Sequence, residues 1–187
     1  QMTERLLVAS TNHGKAAEFA EALAGLGYQV VTIDETEARG EPAPEETGRT
    51  FEENALLKAR HFHALTGLLT VADDSGLEVD ILAGRPGLHS ARYAADDASR
   101  IRRLLGELEG VPSAERTARF VCAVALVGPG VEQVFRGECR GSIRHVASGT
   151  NGFGFDPVFA PDGDSRTFAE MTTSEKRRVS HRGQAIT

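Results

Sequence analysis

Apolar and polar positions along this chain fall into short blocks whose periods alternate between those of strands and helices. Arg5-Leu6-Leu7-Val8-Ala9 is an apolar run that predicts a buried strand, and the polar turn Ser10-Thr11-Asn12-His13-Gly14-Lys15 follows it. Phe19, Leu23 and Leu26 then recur at helical spacing until Gly27, and Tyr28 to Ile33 predicts a second strand. Strand, polar loop, helix, strand is the opening of an α/β protein. Residues 34–49 are rich in acid and proline without periodicity and predict a long surface loop. Thr50 caps a predicted helix to about Thr66, with Phe51, Ala55, Ala59 and Phe62 as its apolar stripe. Asn54 and Lys58 fall at the border of that stripe, within about 60° of Phe51 on the helical wheel.

Leu68 to Ala72 predicts another buried strand, running into Asp73-Asp74-Ser75-Gly76 at its carboxyl end. An irregular loop over residues 84–93 precedes a helix from about Asp97 to Leu108. Thr117 to Val127 and Val131 to Ile143 predict a hairpin around Gly128-Pro129-Gly130. Residues 147–165 show no period. A short helix is expected from Thr173 to Val179, and another from near His181. With no repeat, linker or low-complexity segment, the 187 residues are expected to form a single domain.

Composition narrows the classes of function. Twenty-one basic against 27 acidic residues leave a formal charge of −6, which argues against a broad surface for a nucleic-acid polymer. No apolar run approaches the roughly 20 residues that span a bilayer, and residues 1–10 read as a strand and not as a signal peptide. Cys122 would face about residue 136 across the hairpin and not Cys139. Two buried thiols in a reducing compartment, the cytoplasm, are therefore expected, with no disulfide. The six histidines show no zinc-ligand spacing, so no structural metal is expected.

Several segments carry candidate chemistry. Ser10 to Lys15 places hydroxyls, an amide, a glycine and an ammonium at a helix N-terminus, where an anion is favoured; a solvated helix cap would use the same residues. Asp73 and Asp74 at a buried strand end call for a cation or donors, and Mg²⁺ takes one or two carboxylates plus substrate phosphates; a capped turn is the alternative. Glu45-Glu46 could add a carboxylate or simply be solvated, and Asn54 with Lys58 could face a phosphate chain or the core border. Gly152-Phe153-Gly154-Phe155-Asp156-Pro157 joins aromatic faces to a carboxylate, suiting base stacking and base-edge reading, although core phenylalanines read the same way. Lys176, His181 and Arg182 bring Lys, His and Arg close together near the C-terminus, although a basic helix end complementing the helix dipole would read the same way. Together the set favours a nucleotide site.

With Phe51-Glu52-Glu53-Asn54-Ala55, Pro86-Gly87, Ser90-Ala91-Arg92-Tyr93 and Ser180-His181-Arg182-Gly183 added to these motifs, in this order along the chain, the sequence resembles the inosine/xanthosine triphosphate pyrophosphatases, the Ham1-like or RdgB-like proteins. The resemblance implies a long mixed sheet with flanking helices in two lobes around a cleft, a homodimer, Mg²⁺ dependence, and hydrolysis of ITP, dITP and XTP to the monophosphate and pyrophosphate. By position it implies that Ser10, Thr11, Asn12, His13, Gly14, Lys15 and Lys58 cradle the triphosphate. Glu45 and Asp74 would ligate the metal, with Asp74 also the general base. Ser75 and Lys176 would touch substrate, Phe153 would stack on the base beside Gly154 and Phe155, and Asp156, His181 and Arg182 would read it. Arg92 is a weaker candidate. Phe155 stands where the family often has tyrosine or tryptophan, and the chain ends four residues after Gly183, where the family usually continues into a helix that is expected to be missing here.

A 6-oxo purine offers an acceptor at O6 and a donor at N1. Adenine reverses that polarity and would leave charged readers unpaired. Guanine shares O6 and N1–H, so its exclusion must rest on the 2-amino group, for which the sequence offers no reader. A Maf-like pyrophosphatase for modified pyrimidine nucleotides should open with Ser-x-Ser-Pro-Arg-Arg, unlike Ser10 to Lys15. A nucleotide-binding regulator without catalysis would not need Glu45 and Asp74.

Overall fold

A computed structural model describes residues 4–180. The elements are β1 (Arg5–Val8), α1 (His13–Leu23), β2 (Gln29–Thr32), α2 (Phe51–Thr66), β3 (Leu69–Val79), α3 (Asp97–Glu107), β4 (Thr117–Gly128), β5 (Val131–Ile143), β6 (Phe159–Pro161) and α4 (Thr173–Val179). One mixed sheet runs β2-β1-β3-β4-β5-β6. β1 is parallel to both β2 and β3, while β5 and β6 pair antiparallel from Gly141↔Pro161 to Ile143↔Phe159. The chain packs as two compact units. Of the described residues, the first holds those up to Asp74 and Cys122–Arg136, and the second holds Ser75–Val121 and those from Gly137 to Ser180.

In the first unit, α2 forms where its stripe is expected. Thr50 accepts the Glu53 amide as N-cap, and Phe51, Ala55, Ala59 and Phe62 are buried. Each buried phenylalanine contributes roughly 1.5–3 kcal/mol. Asn54 is 2% exposed, so it lies inside the stripe and not at its border. The strand expected to stop at Ala72 instead continues through Asp73-Asp74-Ser75-Gly76 to Val79. Its partner β1 ends at Val8, opposite Val71. The two acids therefore lie within a strand, beyond the carboxyl end of its parallel neighbour, and not in a turn.

The second unit is built on a core that includes Leu77, Leu104, Phe120, Phe155, Phe159 and Phe168. Phe120 and Phe159 meet edge-on at 4.6 Å between centroids, and Phe159 lies 5.0 Å from Phe168. Such pairs add about 0.5–1.5 kcal/mol each beyond area burial. The three-residue β6 falls in the stretch that shows no period, because so short a strand leaves no pattern to read. Arg116 is buried and donates to the carbonyls of Leu108, Val111 and Arg144, closing the C-terminal end of α3. Cys122 and Cys139 are both buried and not joined in a disulfide, and burial pushes the Cys139 thiol up to about 12. Among the described residues no helix is long and apolar enough to cross a membrane.

Candidate active site

The first unit gathers acids and lysines at the carboxyl end of β1. Ser10 to Asn12 form a self-bonded turn: Ser10 Oγ accepts the Asn12 amide at 3.1 Å, and Asn12 Oδ1 accepts the Lys15 amide at 3.1 Å. Asn12 thereby caps α1, and Lys15 sits in the first turn with its Nζ 3.4 Å from Asp73 Oδ2. Thr11, Asn12 and His13 are exposed, and Gly14 is half-buried.

Successive side chains leave a strand on opposite faces, so Asp73 and Asp74 have different partners. Asp73 faces Lys15, and the Cys122 thiol lies 3.8 Å from the same oxygen. Asp74 accepts from Asn54 Nδ2 at 3.0 Å through Oδ2. Its Oδ1 carries no hydrogen bond among the described residues. Burial, with the charge of Glu46, pushes the Asp74 carboxyl up to about 6, against the pull of Lys58, Asn54 and Lys15.

Lys58 reaches across from α2, donating to the Asp73 carbonyl at 2.9 Å and pairing with Glu46 at 3.0 Å. Burial works against its charge, but Asp73, Glu46 and Asp74 outweigh that and hold the ammonium above its ordinary value. Of the candidate pair Glu45-Glu46, the acid on Lys58 is thus Glu46, while Glu45, which the resemblance singles out for the metal, is exposed. Adjacent glutamates in an aperiodic loop give no signal for which one turns inward.

A second cluster lies within the other unit. Asp156 is 3% exposed, and its Oδ2 accepts both Lys176 Nζ at 2.7 Å and the Phe153 amide at 3.0 Å. Gly152 has φ +73 and approaches so closely that an added Cβ would lie 2.1 Å from Asp156 Oδ2, so only glycine fits there. The Lys176 ammonium also lies 4.7 Å from the centre of the Phe153 ring, a cation–π distance. Phe153 is half-buried, whereas Phe155 is in the core, 6.2 Å from Tyr93. The Gly154 amide donates to Asp97 Oδ2 at 3.0 Å, a loop anchor that only the acid at the start of α3 could have suggested.

Ser75 begins this unit, directly after Asp74, and is half-buried; Arg92 is exposed. The Ser90 hydroxyl accepts the Leu77 amide at 2.9 Å and holds β3 just past Ser75. His181 and Arg182 lie outside the described residues.

The model of the Ham1 family matches residues 6–187. The chain belongs to the Ham1 family. It is 48% identical over 185 residues to the dITP/XTP pyrophosphatase of Symbiobacterium thermophilum, a match covering 98% of this chain and 91% of that one. The dITP/XTP pyrophosphatase of Gloeobacter violaceus is also 48% identical, over 99% of this chain and 92% of its own. Among solved structures, a HAM1 protein from Coxiella burnetii superposes with a TM-score of 0.85 at 40% identity, covering 98% of this chain and 95% of that one. The nucleoside-triphosphatase/dITP/XTP pyrophosphatase of Mycobacterium abscessus is 47% identical with a TM-score of 0.74, over 97% and 96% of the two chains.

The donors around Asp74 suit a hard cation. They are carboxylate oxygens, and one of them is desolvated, held from one side by Asn54 and raised in pKa, which a divalent charge would relieve. Among the described residues no three His, Cys, Asp or Glu side chains cluster as a metal cage. An ion here would complete its shell from water and phosphate oxygens, as Mg²⁺ does.

Proposed function

We propose that this protein is a nucleoside triphosphate pyrophosphatase that hydrolyses the deaminated purine nucleotides dITP, XTP and ITP to the monophosphate and pyrophosphate. The observation that carries this reading is the convergence of Lys15 and Lys58 on the Asp73-Asp74 strand, which joins polyphosphate donors to a desolvated carboxylate. Water attacks the α-phosphorus, the bond from α-phosphorus to the bridging oxygen breaks, and pyrophosphate leaves. Asp74 accepts the proton from the attacking water, a role for which Asn54 holds its Oδ2 and leaves Oδ1 to face the water. Ser10 to Gly14 and the α1 N-terminus, with Lys15 and Lys58, hold the phosphate chain and its leaving group; Lys58 exchanges Glu46 for phosphate oxygens when substrate arrives. Asp74 and Glu45 would hold Mg²⁺, which when bound neutralises charge on the phosphate oxygens.

In the second unit Phe153 stacks on the base, with Gly154 and Phe155 shaping the loop and Ser75 and Lys176 contacting substrate. Reading N1–H falls to Asp156, and donation to O6 to His181 and Arg182. Because Asp156 Oδ2 is committed to Lys176 and Phe153, base reading exchanges one of those contacts. The protein acts in the cytoplasm as a homodimer. A triphosphate panel with product identification tests the reading. Pyrophosphate release from dITP, XTP and ITP at least a hundredfold above ATP and GTP is expected; comparable cleavage of ATP overturns the selectivity.

A further inference from the structure

Asn54 is a polar side chain buried inside the apolar stripe of α2. Both ends of its amide are used. Oδ1 accepts the Gly48 amide at 2.7 Å, and Nδ2 donates to Asp74 Oδ2 at 3.0 Å. The partners are a pure donor and a pure acceptor, which settles the orientation of the amide. Gly48 closes the loop that carries Glu45 and Glu46, and it approaches so closely that an added Cβ would lie 2.6 Å from Asn54 Oδ1. α2 itself is anchored at this end, since Thr50 caps it and Glu53 accepts the Arg49 amide at 2.7 Å. The amide therefore sits on a fixed helix between a loop that lacks regular structure and a carboxylate on a strand. A buried amide with both ends satisfied restricts the rotation of each partner, whereas one with an end unsatisfied would be costly.

We infer that Asn54 is a positioning residue that sets the rotation of the Asp74 carboxylate and, with the same amide, ties the Glu45–Gly48 loop to it. The inference rests on the functional reading above, in which Asp74 meets the attacking water. It assigns Asn54 no contact with substrate: its effect passes through Asp74 on one side and through the loop on the other. The two ends can be separated chemically. Asn54→Ala removes both hydrogen bonds. Asn54→Asp keeps an oxygen for the Gly48 amide and loses the donor to Asp74.

The test measures kcat and KM for ITP with saturating Mg²⁺ at pH 8, melting temperature, and amide hydrogen exchange at Gly48. Both variants are expected to lower kcat at least a hundredfold while KM stays within about threefold, since the phosphate lysines remain. Gly48 exchange is expected to rise at least tenfold in Asn54→Ala and to stay near wild type in Asn54→Asp. A purely structural role would lower the melting temperature and leave kcat of the folded fraction unchanged. The inference is overturned if either variant keeps kcat within threefold of wild type, or if Gly48 exchange is unchanged in Asn54→Ala. Should Asn54→Ala not fold, Asn54→Asp still decides the Asp74 arm. Wild-type protein that releases no pyrophosphate from any of the three nucleotides defeats the functional reading and the Asp74 arm together; Gly48 exchange then still decides the loop tether.

Discussion

The two polar clusters bury charge in opposite ways. In the second unit one acid and one lysine, each less than 5% exposed, meet at 2.7 Å with the Phe153 amide completing the acid. That is a closed arrangement, worth little net stability but costly to break from one side. In the first unit Asp73, Asp74 and Glu46 share Lys15 and Lys58, and Asp74 is left with a carboxyl pushed up to about 6. That arrangement is frustrated, since Asp74 is desolvated beside another acid, and a strongly perturbed carboxyl of this kind is a mark of functional sites. The contrast separates a cluster whose charges are matched from one that the proposed function uses for its chemistry.

Asp74→Asn gives the largest expected effect. It should lower kcat for pyrophosphate release at least a thousandfold while raising the melting temperature by several degrees in metal-free buffer at pH 7.5. The sign follows from linkage. A buried acid at about 6 in the folded state against 3.8 unfolded disfavours folding when ionised, by about 2–3 kcal/mol above pH 6. That penalty fades as pH falls through 6 and is gone below 3.8, so the stability advantage of Asp74→Asn should shrink between pH 7 and pH 4. Denaturant titrations of both proteins at several pH values check it; a variant no more stable than wild type at pH 7.5 would remove the claim of frustration.

Lys176→Met probes the closed cluster. It takes the balancing charge from the buried Asp156 carboxylate and should cost about 3–5 kcal/mol by urea unfolding. The double variant with Asp156→Asn should recover much of that loss, and simple additivity of the two singles would contradict a closed pair. Phe153→Ala should raise KM for ITP about tenfold, from a stacking contribution of roughly 1–3 kcal/mol, with less effect on kcat. The smallest effect belongs to Arg136→Ala, which removes a partly exposed pair with Glu52. A change within about 1 kcal/mol and unaltered kinetics are expected, measured by urea unfolding and ITP turnover.

Much of this was legible in the sequence because the helices carry their own signals. The apolar stripe of α2 starts after a threonine cap, and α4 over Thr173–Val179 opens with a capping box of Thr172 and Glu175. The Asp73-Asp74-Ser75-Gly76 segment misled for a physical reason. Its composition is that of a turn, and only pairing with distant strands holds it extended. Asn54 was visible on the wheel beside Phe51, yet its depth depends on what packs over α2, which periodicity does not encode. Glu46 and Asp97 reach their partners through loop paths that no local pattern reports. The family resemblance supplied roles for Ser10 to Lys15 and Asp74 that composition alone left open between site and cap.

Hydrolysis of ITP in ¹⁸O-labelled water tests the central claim most directly. Attack at the α-phosphorus predicts the label in inosine monophosphate and none in the pyrophosphate released. Label in pyrophosphate, or release of orthophosphate in its place, would contradict the account.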